Sequence, residues 1–495
     1  MKIKNNVVFF STLILTILLI VFSIIFKETF KQFSNIAFAF LSNNFSWVYL
    51  FVMLFFVVFI FVIAFSKYGN IRLGKDNEDP EYSLFSWFAM LFCAGMGVGL
   101  VFWGISEPLS HLINPIDGIQ PLSVDAVRFS FRSCFMHWGI CPWAAYAVVG
   151  LSLAYFKFRK NKPYLISSII GSLFKNDKFA IVIGKIADVL ASFATIGGIV
   201  TSLGLGVLQI NTGLNSLVGI PNNIRVQIVI IVVVTIVYIW SSTSGIEKGV
   251  KYLSNFNIFL AIILMLFSFL VESKVSMFSN LVTGLGDYIQ NFFSDSCLTG
   301  NYMNLLWIKN WRIFYWAWWI AWAPFVGIFI AKISKGRTIR EFIIGVVLVP
   351  TFASILWFAV FGTMGIDLAM TGQITLEVLQ KVVSVPEKGL FFIFGQYPFG
   401  NILSMMALVL LIVFFITSAD SGTFVLATLS SDGADNPPNH KKIIWCILQS
   451  LMAIGLLISG GLKAIQTISI VAAFPFIFIM IMMCVSLIKN LKQEK

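Results

Sequence analysis

Charge is what this sequence has least of: Asp, Glu, Lys and Arg together make up 11% of its 495 residues, with only three histidines beside them. A chain so poor in charge cannot cover a soluble surface. With 58% hydrophobic residues and a mean hydropathy of +0.91, it falls outside the range of globular domains. Low-complexity tracts are absent as well, which excludes a disordered, linker-rich regulator. The six cysteines, at 93, 134, 141, 297, 446 and 484, form no metal spacing and read as small buried side chains rather than a disulfide framework. His111, His137 and His440 are scattered and suggest neither a metal site nor a catalytic group. No cluster of His, Asp, Glu or Ser is legible at membrane depth, so an enzyme is not expected.

Apolar runs of about twenty residues recur from end to end, the mark of an all-α polytopic membrane protein. Twelve transmembrane helices are predicted, at roughly 7–26, 46–66, 84–106, 134–156, 180–209, 224–242, 252–271, 309–332, 342–362, 400–428, 441–460 and 464–488. The first is too long for a signal-peptide core and no cleavage pattern follows it, so it is expected to be retained. An even count puts both termini on one side, and basic residues choose that side. Lys2 and Lys4, the runs Lys157 to Lys178 and Lys332 to Arg340, and Lys489, Lys492 and Lys495 all fall with the N-terminus. Both termini are therefore predicted to be cytoplasmic, in the inner (plasma) membrane of the cell. The net charge of +12 follows from the same rule and from the anionic lipid of that leaflet. No nucleic-acid partner is expected, because the basic residues sit in short inter-helix loops.

Two peripheral helices (1–83) precede ten others, which divide into five-helix sets at 84–271 and 309–488. An amphipathic surface segment at 272–308, carrying Leu281, Leu285, Tyr288 and Ile289, joins the sets, and a tail at 489–495 ends the chain. Because five is odd, the second set must start from the opposite side of the membrane: a 5+5 inverted repeat. The first helix of each set is predicted to be interrupted, one by Gly95-Met96-Gly97-Val98-Gly99 and the other by Pro324 and Gly327. Unwound backbone of this kind can turn its carbonyls toward a substrate or ion. A phosphate-binding loop is excluded, since no strand precedes the glycines.

The richest segment holds tryptophan at 316, 318, 319 and 322. Indole faces attract quaternary ammonium groups, which cannot donate hydrogen bonds, so the segment points to a methylated-amine ligand. Trp318, Trp322, Phe325 and Phe329 step by four, three and four and share one helix face, with Trp319 at its flank. Interfacial aromatic belts lie at helix ends, whereas this stripe occupies the middle of a span. A second aromatic group, Trp138, Trp143 and Tyr146, surrounds Pro142, which is predicted to kink its helix. In Thr417-Ser418-Ala419-Asp420-Ser421 the hydroxyls either bond back one turn or offer oxygen ligands to an alkali cation.

At these residues, and in Glu107-Pro108 and Arg340-Glu341, the chain closely resembles the betaine/choline/carnitine transporter family. The resemblance implies uptake of trimethylammonium solutes by a lipid-embedded homotrimer, with sodium as the coupling ion and no other cofactor. It assigns Met96, Gly99, Trp138, Trp143, Tyr146, Trp318, Trp319 and Trp322 to the substrate pathway and cage, and Phe329 to the route inward. It also implies a sodium site made of backbone carbonyls of Cys93, Met96 and Phe414 with the hydroxyls of Thr417 and Ser418. Sodium-independent exchangers of the family carry arginine where this chain has Asn257, which implies a sodium-coupled member. A second sodium site, formed in some members by threonines one turn apart, lacks its second threonine here, where Ile199 follows Thr195. Choline-carrying members often place aspartate at the position of Gly99, and no other acid lies between Met90 and Ser106. Glycine betaine is thus the expected substrate. Choline or carnitine uptake and sodium-independent exchange are the alternatives.

Overall fold

In lipid the backbone has few ways to satisfy its own hydrogen bonds, and this chain uses the helical one almost throughout. The structure is a computed structural model describing residues 6–95, 97–244, 247–300 and 305–494, apart from the side chains of 92–95, 247–252 and 254. Among the described residues the only extended pairing is an isolated antiparallel bridge between Arg72 and Thr338. The helices are α1 (Val7–Ile25), α2 (Lys27–Asn44), α3 (Ser46–Phe65), α4 (Leu84–Gly95), α5 (Val98–Ile113), α6 (Val124–Trp138), α7 (Ile140–Ala154), α8 (Ile166–Ile170), α9 (Asp177–Val218) and α10 (Ile224–Thr243). They continue as α11 (Glu247–Val271), α12 (Lys274–Ser296), the single turn α13 (Leu305–Trp307), α14 (Phe314–Lys332), α15 (Ile339–Met370), α16 (Leu376–Val383), α17 (Gly389–Phe394), α18 (Gly400–Leu429) and α19 (Asn439–Leu491).

Among the described residues nine helices are long and apolar enough to cross a membrane, or ten if the bent pair Asn255–Val271 and Lys274–Ser296 is one span. Two further features separate ten from the predicted twelve. The predicted span 84–106 is split into α4 and α5, neither of which is long. The predicted spans 441–460 and 464–488 are the two arms of the 53-residue α19, which bends at Gly461 (φ 57°, ψ −139°), a conformation that favours glycine. The surface segment after α11 is helical as expected: α12 turns by 114° from its predecessor and buries Met277, Gly284 and Tyr288, although Ile289 faces outward. The α2 helix was not expected. Its sequence is too polar for a span, and it lies with Phe30, Ser34 and Leu41 buried, packed on α19.

Two predicted interruptions are corrected. The α14 helix runs unbroken through Pro324, and Gly327 serves close packing instead: a Cβ there would stand 2.6 Å from Val149 Cγ1 and 3.1 Å from the backbone nitrogen of Gly150. The irregular stretch in this part of the chain is the wide turn Ile308–Ile313, just before α14. Likewise the break near Pro142 falls at Gly139 (φ −91°, ψ −129°), between α6 and α7. Pro142 then sits in the first turn of α7, where its missing N–H costs nothing. The N–H of Ile140 donates to the hydroxyl of Tyr288 on α12 (3.1 Å). The α14 helix is enclosed by α7, α9 and α19, which places the tryptophan segment in the middle of the bundle.

Both ends of the described chain reach the face that carries the basic loops. Lys441 donates to Asn6 (3.2 Å) and Arg159 to Glu494 (2.8 Å), and Arg159 also holds Asp76 (2.6 Å). Burial pushes the pKa of the Glu494 carboxyl up, but hydrogen bonds from Tyr155, Lys160 and Arg159 outweigh it and hold the pKa down to about 2. Its contribution to stability is complete above the ordinary carboxylate range and fades as pH falls from about 5 toward 2. Glu494→Gln is expected to lower stability in detergent at pH 7 by on the order of 1 kcal/mol, and the difference from wild type should shrink with acid. Melting curves of both proteins across that range would expose the error if the gap were constant.

Candidate functional site

The glycine run ends one helix and starts another. The α4 helix stops at Gly95, Gly97 is extended (φ −144°, ψ −177°), and α5 begins at Val98. Met96 lies outside the described residues, as does the side chain of Cys93. A Cβ on Gly97 would meet nothing within 4 Å, whereas one on Gly99 would come 2.5 Å from Cη2 of Trp318 and 3.1 Å from Cη2 of Trp138. The run thus leaves open space at one glycine and lets two indoles close on the backbone at the other. Gly97, Val98, Gly99 and Leu100 line a cavity of about 120 Å³, at a helix start whose first N–H groups have no carbonyl of their own helix to reach.

Half of the remaining lining residues are aromatic: Trp138 of α6, Trp143 and Tyr146 of α7, Trp318, Trp319, Trp322, Phe325 and Phe329 of α14, and Phe414 of α18. The stripe expected from helical spacing is therefore present, with Trp319 beside it. Trp318 and Trp319 stack at 4.7 Å and 13°, and Trp138 meets Trp319 edge-on at 4.9 Å and 72°. Tyr146 is perpendicular to Trp319 at 6.4 Å and to Trp143 at 5.4 Å. The break at Gly139 contributes directly, because the carbonyl of His137 before it accepts the indole N–H of Trp319 (2.8 Å). Trp316, grouped with these by sequence, is turned away from the cavity and lies 5.7 Å from the guanidinium of Arg312.

Three polar groups in this wall lack partners. Among the described residues, the indole N–H groups of Trp318 and Trp322 find no acceptor, and Asn257, 1% exposed, has neither amide atom bonded. A buried amide without partners is costly, so these groups are available to a ligand. None of the described lining residues is acidic. Thr417, Ser418 and Ser421 line the cavity together with Phe414 and the start of α5. The Thr417 hydroxyl donates back to the carbonyls of Val413 (3.0 Å) and Phe414 (3.3 Å), which leaves its oxygen lone pairs free.

Sequence reasoning missed the group behind the cage. Two of the histidines expected to be unrelated converge on one carboxylate. His137 Nδ1 lies 2.7 Å and His111 Nε2 3.4 Å from Glu107 Oε1, while the indole N–H of Trp138 (2.8 Å) and the hydroxyl of Tyr315 donate to Oε2. The other ring nitrogens are also engaged, by Arg312 Nε on His137 Nε2 (3.0 Å) and by Trp307 Nε1 on His111 Nδ1 (3.2 Å). Each of these partners can only donate, so each imidazole must accept there and donate its remaining N–H to Glu107. The three ligand-type side chains lie close enough to hold a metal ion, but every candidate atom is already committed to a hydrogen bond. They form an internal network around Glu107, with Arg312 as its counter-charge. The i, i+4 pair Glu107 and His111 was the one legible signal.

An interrupted helix opening onto an aromatic cavity, inside a bundle of membrane-length helices, belongs to a membrane transporter. The chain is a member of the betaine/carnitine/choline transporter family, BCCT, whose model it matches over residues 7–495. It is 46% identical to the glycine betaine transporter OpuD of Bacillus subtilis, over 99% of this chain and 94% of that one. A probable glycine betaine transporter of Desulfitobacterium hafniense shares 42% identity (99% and 98% covered), and an ectoine/hydroxyectoine transporter of Virgibacillus pantothenticus 40% (99% and 97%). The family is one of transporters rather than enzymes.

Proposed function

We propose that this protein takes up glycine betaine by sodium-coupled symport, through alternating access of a twelve-helix, 5+5 inverted-repeat fold. The carrying observation is the chemistry of the cavity. Aromatic faces suit a trimethylammonium group, while unpartnered donors and the start of α5 suit a carboxylate, with no lining acid to favour a net cation. The 53 residues of α19 would extend about 80 Å as one rod, against roughly 30 Å of hydrocarbon, which supports two crossings hinged at Gly461. The basic face is assigned to the cytoplasm, with both termini there, in the plasma membrane. A homotrimeric assembly is the one the family resemblance implies.

Sodium is assigned to Thr417, Ser418 and the carbonyl of Phe414, facing the broken helix, with Cys93 and Met96 completing the set. Sodium would hold α18 against the α4–α5 break and so favour the substrate-competent state. Each ligand then tightens the other by the same factor. Thr417→Ala and Ser418→Ala are expected to raise the sodium concentration for half-maximal uptake by about tenfold each, with a smaller change in betaine affinity at saturating sodium. Undiminished uptake in wild type with potassium replacing sodium and no proton gradient would refute the coupling. The deciding experiment for substrate is uptake by proteoliposomes of labelled glycine betaine, choline, carnitine, ectoine and proline, with and without a sodium gradient. Counterflow in sodium-free vesicles would instead favour exchange.

A further inference from the structure

We propose that Glu107 is the electrostatic positioning residue of the aromatic cage, strengthening its hold on a cation by a charge placed behind the rings. This deepens the reading of the cavity as a trimethylammonium site and rests on it. Glu107 is fully buried and is not part of the cavity wall, yet one wall indole is bonded to it and two more connect to it through His137. Trp138 donates its N–H straight to the carboxylate (2.8 Å). Trp319 is tied to the carbonyl of His137, whose ring is bonded to the same carboxylate (2.7 Å). Trp318 is stacked on Trp319, and Tyr315, whose hydroxyl donates to Glu107, is stacked behind Trp319 at 5.7 Å.

The arrangement of charge has a direction. Arg312, 2% exposed, lies on the far side of His137, where it also donates to the carbonyl of Asp295 (2.5 Å) and faces the rings of Trp307 and Trp316. Positive charge, imidazole, carboxylate and Trp138 thus follow one another toward the cavity. Arg312 and Glu107 have opposite charges, as do Arg132 and Asp295 (3.0 Å) beside Arg312, so the buried group is neutral as a whole, and the Glu107 carboxylate is the end that meets the cage. A carboxylate accepting an indole N–H polarises that indole and deepens the negative potential of its face, the property by which the face attracts a cation. The carboxylate accepts from four donors and so has no spare lone pair for the substrate. It acts through Trp138 rather than as a direct counter-ion.

The test separates charge from shape by comparing glycine betaine with 3,3-dimethylbutanoate, in which carbon replaces the charged nitrogen. Binding of each is measured in purified protein by tryptophan fluorescence, and uptake in proteoliposomes. Glu107→Gln is expected to weaken glycine betaine by about tenfold while changing the neutral isostere less than about threefold, and Glu107→Asp to recover most of the preference for the cation. Equal loss for both ligands, or no loss for either, overturns the proposal. Should Glu107→Gln not be recovered folded, infrared difference spectra of wild type carrying ¹³C-carboxyl glutamate decide. Tetramethylammonium is then expected to shift a buried carboxylate band, and an unmoved band overturns the role. Wild-type protein that binds neither glycine betaine nor tetramethylammonium overturns the substrate reading, and this one with it; an unchanged ligand ratio in the variants overturns this one alone.

Discussion

Trp319→Ala is expected to abolish betaine uptake while the protein still reaches the membrane folded. Trp319 is the ring on which the cage is assembled: it stacks on Trp318, meets Trp138 and Tyr146 edge-on, and is anchored by its N–H to the carbonyl of His137, left free by the break at Gly139. Its removal takes away one cation–π face and leaves Trp318, Trp138 and Tyr146 without a packing partner. Together these losses amount to about 3 kcal/mol, or roughly a hundredfold in affinity. Trp322 has a lighter role. It touches Phe325 at 5.0 Å and abuts Gly198 of α9, so Trp322→Ala is expected to weaken binding by about tenfold. Equilibrium binding of labelled glycine betaine to both purified variants would measure the two losses. Near-wild-type affinity in Trp319→Ala would remove the cage from the argument.

What could be read from the sequence divides along a physical line. The stripe at 318, 322, 325 and 329 was legible because helical spacing alone puts those residues on one face, and all four line the cavity. The break at Gly95 to Gly99 was legible because three glycines in five residues weaken a helix in any surroundings. Pro324 misled because proline inside a membrane helix bends it only if neighbouring helices allow, and here α7, α9 and α19 keep α14 straight enough to remain one element. Pro142 drew attention from Gly139, where the turn occurs. The network around Glu107 draws on α5, α6 and the stretch leading into α14. Nothing in the spacing of Glu107, His137 and Arg312 indicates that three separate helical segments bring them together. The α2 helix escaped because its 18 residues, long enough for a span, lack a span's hydropathy.

The second large effect is expected at Gly99, where two demands meet in one residue. A methyl group there would stand 2.5 Å from Trp318, whose ring cannot retreat because it is stacked between Phe314 (5.5 Å) and Trp319 (4.7 Å). Overpacking of this kind costs about 1–3 kcal/mol, so Gly99→Ala is expected to lower betaine affinity by roughly ten- to a hundredfold. Aspartate adds a charge to the same collision. Position 99 is the second residue of α5, where a carboxylate is favoured by the helix start and would occupy the N–H groups proposed to receive the carboxylate of the zwitterion. It would also supply the counter-charge that a net cation needs in a pocket of low dielectric. Gly99→Asp should therefore lose betaine uptake, as Gly99→Ala does, and in addition shift the preference toward choline. The ratio of choline to betaine uptake in the two variants separates charge from bulk. An identical ratio in Gly99→Ala and Gly99→Asp would mean that sterics alone act at this position. Preference for choline over betaine in the unmodified protein would overturn the argument that a missing acid selects the zwitterion.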